Sequence, residues 1–191
     1  MGDVTGPDGA PPIRLFPLVW VGLTGAALAW VIASGSLWAL TFAHVFGGVL
    51  WTGIDLFLGF VLGPILRALP LPSRRAVALR LLPKTLYLLP TLAAVTGTAG
   101  WVLAGRMGFL ALVWPAYGWV AAALLILTVL TVQGLGILLP VNLLVYFELR
   151  KPAPDGARIG RLMGRYVRVV AIQGAMQVAM ILVMARFATG V

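Results

Sequence analysis

Residues 37–66 read LWALTFAHVFGGVLWTGIDLFLGFVLGPIL, with one histidine, one aspartate and no lysine or arginine. An α-helix rises about 1.5 Å per residue and a bilayer's hydrocarbon core is about 30 Å thick. Roughly 20 apolar residues therefore cross it, and this stretch is longer than that. Its span is predicted over 38–66, closed by Pro64 and Arg67. Four other segments qualify by the same measure: 15–34, 85–104, 119–149 and 166–187. Gly134, Gly136 and Pro140 predict a kink or tilt in the long fourth span. The expectation is an all-α integral membrane bundle of five transmembrane helices, a single domain over 14–191. Residues 1–13, rich in Pro, Gly and Asp, read as a disordered tail.

Composition agrees. The chain of 191 residues is 61% hydrophobic and 10% charged, too few charges to coat a water-soluble globule. It contains no cysteine, which excludes disulfides, zinc–thiolate sites and thiol catalysis, and a single histidine, His44. The formal net charge is +9. Five spans place twelve of the 14 lysines and arginines on one side, leaving only Arg106 and Arg186 on the other. By the positive-inside rule the N-terminus is cytoplasmic and the C-terminus outside. Trp38, Trp101, Trp114 and Trp119 then fall at outer span ends, where amphipathic rings favour the headgroups. The charge sets orientation and meets anionic lipid rather than nucleic acid. The segment 73–82 (SRRAVALRLL) is expected to lie along the inner surface, and 109–118 (FLALVWPAYG) on the outer surface or as a re-entrant turn.

Polar groups at membrane depth are costly, so each is a candidate. Positions 44, 47, 48, 51 and 55 share one helix face, bringing His44, Gly47, Gly48, Trp51 and Asp55 into line. Two glycines one turn from an imidazole leave room for a flat macrocycle whose iron the histidine would bind. The same glycines equally serve close helix packing, with His44 bonded to a neighbouring carbonyl. Met184, and less closely Met180, match His44 in depth, and a His/Met pair is a known axial set for haem iron. Arg106 and Arg186 would pair with haem propionates or serve as snorkelling flanks. Met176, Met180 and Met184 repeat every four residues, and with His44 would also suit Cu(I). Asp55 is the only acid deep in a span, a proton-transfer residue or a buried hydrogen-bond node, with Thr96, Gln133 and Gln177 within reach. No phosphate loop, carboxylate pair or Ser/His/Asp set is present.

The stretch 37–66 resembles the first characteristic helix of a bacterial superfamily of small membrane proteins that includes the HemJ-type protoporphyrinogen oxidases and the CopD-type copper-resistance proteins. The shared pattern is an early histidine, then small residues, then Trp and Gly. Residues 81–105, with Lys84, Pro90 and Thr96-Gly97, and the closing MILVMARF resemble later helices of that group. The resemblance implies haem b bound through His44 and a redox role, electron transfer or porphyrinogen oxidation, in a bacterial inner membrane. Two other readings stay open. One is a non-catalytic membrane subunit that anchors a larger complex or serves a redox partner. The other is a copper-handling protein.

Overall fold

The computed structural model describes residues 16–190, so the tail expected at 1–13 lies outside the described residues. Among the described residues the chain is helical, with no strands. Five helices are long and apolar enough to cross a membrane. They are α1 (Phe16–Ser34), α2 (Leu37–Ala68), α3 (Leu71–Arg106), α4 (Tyr117–Leu149) and α5 (Gly156–Ala188).

The connections follow from local chemistry. Gly35, at φ 74°, supplies the left-handed turn between α1 and α2. Ser36 then caps α2 by accepting from the Ala39 N–H at 3.2 Å. Gly108, at φ 76°, ends α3 in the same way. Asp155 opens α5 by accepting from the Arg158 N–H at 2.9 Å.

Two helices are interrupted by wide π turns, Phe57–Leu62 in α2 and Gly134–Leu138 in α4. Each is followed two residues later by a proline, Pro64 and Pro140. A proline offers no N–H, and its ring collides with the carbonyl four residues back. Those carbonyls belong to Phe60 and Gly136, both inside the π turns, where the wider winding makes room. The kink expected near Gly134–Pro140 therefore takes this form.

The segment 73–82 behaves differently from the expectation. It is not a separate surface helix but the first third of α3, which runs unbroken through Pro83 and Pro90. Its apolar side is covered by protein: Leu79 packs with Val141, Val145, Tyr146 and Leu149 of α4 and with Ile159 and Leu162 of α5. Two of its arginines, Arg74 and Arg75, are tethered too. The Arg75 guanidinium donates to the carbonyls of Leu149 at 2.8 Å and Lys151 at 3.1 Å, closing the end of α4. Burial against α4 and α5 thus competes successfully with the membrane surface for this face. The 109–118 segment is a short 3₁₀ turn, Phe109–Ala111, then a loop that leads into α4, and the Phe109 ring packs tilted against Phe187 with centroids 4.8 Å apart.

Three apolar clusters hold the bundle. Leu40, Ala99 and Leu103 join α2 and α3, with Leu28, Val31 and Ile32 of α1 against them. Trp51, Ile126, Leu130 and Val183 join α2, α4 and α5. The Leu79–Tyr146 cluster closes the basic end. Elsewhere large apolar side chains face outward, including Trp38 (78% exposed), Trp114 (72%), Phe60 (71%) and Leu182 (68%). Water would disfavour such a surface and hydrocarbon would not.

Candidate functional site

The face of α2 that carries His44 and Asp55 meets two different environments. Toward its start it lies tightly on α3. A Cβ at Gly47 would stand 2.7 Å from Thr96 Oγ1, and one at Gly48 3.5 Å from Thr96 Cγ2. Opposite them, Gly100 of α3 receives the His44 ring: a Cβ there would stand 2.6 Å from Cε1. The His44 Nδ1 lies 2.9 Å from the Thr96 carbonyl oxygen. A carbonyl only accepts, so Nδ1 carries the proton and Nε2 holds the lone pair. Glycines on both helices let the two backbones close around one imidazole.

This geometry bears on a porphyrin. The face cleared by Gly47 and Gly48 is filled by Thr96, so a macrocycle on it requires α2 and α3 to part. Met180 and Met184 pack in the Trp51 cluster, with Ile126, Leu130 and Val183, while the contacts of His44 run to α3. Arg106 donates to the Ile32 carbonyl at 2.6 Å, closing the end of α1. Arg186 donates to Gly190 O at 2.5 Å and lies over the Trp119 ring at 6.0 Å. The residues as arranged do not form a haem slot. Among the described residues there is also no group of three or more His, Asp or Glu side chains able to hold a metal ion. What does match metal chemistry is the imidazole itself, since a ligating histidine ordinarily donates its other N–H to a carbonyl.

Further along α2 the packing loosens. Asp55 Oδ2 accepts two hydrogen bonds from α5, from Gln173 Nε2 at 2.6 Å and Gln177 Nε2 at 2.8 Å. Gln173 and Gln177 are 3% and 2% exposed, and the Oε1 of each is buried without a partner among the described residues. Of the expected partners of Asp55, Gln177 is present. Thr96 instead faces Gly47, and Gln133 leaves its buried Oε1 unpaired. Gln173 is one of the polar residues the sequence places in the last span, but it was not among the partners expected for Asp55. The signal was available: 173 and 177 are one turn apart and present both amides to the same side.

Asp55, Trp51 and Gln173 line a cavity of about 300 Å³ between α2, α3, α4 and α5. Its other polar walls are Thr85, Thr98, Thr131, Asn142 and Tyr166, and the rest is leucine, alanine, glycine and Pro90. Two backbone irregularities line it. The π turn of α4 contributes Gly134, Leu135 and Leu138, and Pro90 of α3 lines the wall beside Leu86, whose carbonyl it deprives of a helical donor. The π turn of α2 begins two residues after Asp55. Irregular backbone within an apolar bundle is tolerated where it is buried in protein or lines a cavity. Such turns recur at functional sites.

Comparison with known proteins finds no match: no family model fits the chain, and no curated protein or solved structure is significantly similar to it.

Proposed function

We propose that this chain is a multi-pass protein of a bacterial inner membrane, N-terminus cytoplasmic and C-terminus outside, whose working group is Asp55, a carboxylate that takes up and releases a proton within the bilayer. The observation that supports this most is the placement of Asp55 on a cavity, held by two glutamine amides and no cation. Among the described residues the only ion pairs are those of Glu148 with Lys151 and Arg158, at the basic end. A carboxylate held only as a structural node needs neither a cavity nor the convergence of three irregular helices. The glutamine N–H groups hold the carboxylate, and most of the wall around it is apolar. Orientation follows the charge asymmetry. Arg161, Arg165 and Arg168, exposed around Gly164, then face anionic headgroups of the cytoplasmic leaflet.

Infrared difference spectroscopy of the reconstituted protein tests the reading. A protonated carboxyl band should titrate, shift in heavy water and vanish in Asp55→Asn. A spectrum in which no titrating carboxyl is lost in Asp55→Asn would overturn it.

A second reading, haem b binding at His44 with a redox role, rests on the Nδ1 contact to the Thr96 carbonyl, which leaves Nε2 ready to ligate. The resemblance of 37–66 to HemJ- and CopD-type helices points the same way. It requires α2 and α3 to separate. A Soret band after haem addition, abolished in His44→Ala, would establish it. A purified sample with neither haem nor copper taken up would remove both metal readings and leave the membrane-subunit alternative.

A further inference from the structure

The cavity beside Asp55 has a composition that selects an occupant. Gln173 donates its Nε2 to Asp55 and keeps Oε1 without a donor, although its side chain is 3% exposed and lines the cavity. Next to it is a carboxylate with no cationic side chain in ion-pairing distance among the described residues. Trp51 adds an aromatic wall, which also attracts cations. The opposite walls, Leu86, Leu89, Leu127 and Leu130, offer nothing polar and suit a hydrocarbon body.

The way in is equally informative. Ala94 and Thr98 on α3, with Thr131 and Leu135 on α4, line the cavity and are exposed. The mouth therefore opens sideways between two spans, toward the lipid rather than toward either aqueous face. Whatever enters by it must partition into a membrane.

We propose that this cavity binds a small lipophilic cation, a primary ammonium on an apolar body about the size of one aromatic ring. Its ammonium pairs with the Asp55 carboxylate, which the Gln173 amide holds in place. Its ring lies among the leucines. Binding rests on Asp55 being the working group proposed above, and the two ions compete: when Asp55 is protonated, the ammonium enters and one proton leaves. No bond other than that O–H is broken. A cavity of about 300 Å³ would otherwise hold on the order of ten waters, each occupying about 30 Å³.

The test uses the full chain in detergent and 2-phenylethylammonium as probe, followed by calorimetry with a pH dye. Saturable one-to-one binding is expected, with a proton released at acidic pH. Asp55→Asn and the neutral analogue 2-phenylethanol should each weaken it about tenfold or more. Gln173→Leu should weaken it several-fold. Ala94→Phe, at the mouth and away from the acid, should block it while the Asp55 infrared band persists; this variant decides the matter if Asp55→Asn fails to fold. Absence of saturable binding, equal affinity for 2-phenylethanol, or undiminished binding to Ala94→Phe would overturn the proposal, the first of these indicating a water-filled cavity. In each case a persisting Asp55 band leaves the proton reading intact, whereas loss of that band from the wild type would sink the proton reading itself.

Discussion

His44 and Asp55 stand about three turns apart on one face of α2, yet their surroundings are opposites. Around His44 the helices are regular and glycines draw them together, so the imidazole is clamped between α2 and α3. Around Asp55 the helices α2 and α4 widen into π turns and α3 carries Pro90, and space is left over. Small residues brought the first pair of backbones close, and prolines kept the second region open. The polar residue alone does not announce a site; the packing around it does.

The largest expected effect breaks the tight region. Gly100→Leu drives side-chain atoms into the His44 ring, already 2.6 Å from where a Cβ would sit. It should lower stability in detergent by about 3 kcal/mol, as overpacking does, and free the imidazole. Thermal unfolding with histidine NMR would show it, and an unchanged melting temperature would mean that α2 and α3 are not clamped. Next comes Asp55→Ala, which leaves the Nε2 groups of Gln173 and Gln177 without an acceptor and should cost about 1–3 kcal/mol. A double-mutant cycle with Gln177→Leu should return a coupling of about 1–2 kcal/mol, and none if the pair is not formed. Gly174→Ala sharpens the contrast. Its Cβ would meet only Leu56 Cδ2, at 3.5 Å, so the change should stay within about 0.5 kcal/mol. The smallest effect lies at the start of α5. The Arg158 backbone N–H holds the Asp155 carboxylate below its ordinary value of 3.8. Its cap is therefore complete above about pH 3.8 and is lost as the pH falls through the lower, folded-state value. Amide exchange at Arg158 should quicken below that pH and stay flat in Asp155→Ala.

The five long apolar helices were legible because a span of about 20 apolar residues has few other uses. The kink near Pro140 was legible for a similar local reason, although its form as a π turn was not. The 73–82 segment was misread because a basic amphipathic stretch looks alike whether its apolar side meets lipid or, as for Leu79, a neighbouring helix. At the site, the shared face of His44, Gly47, Gly48, Trp51 and Asp55 could be counted from helical spacing. What fills that face could not, because Thr96 and Gly100 come from another helix about 50 residues on.

By itself, then, the sequence determined the helices, their apolar character and the asymmetry of charge between the two ends, since each depends on residues near one another in the chain. Only the tertiary structure decided that the glycines near His44 are closed by α3, that Gln173 joins Gln177 on Asp55, and that the cavity lies beside the aspartate. Those outcomes depend on how side chains from separate helices share volume, and helical periodicity carries no information about the partner's register.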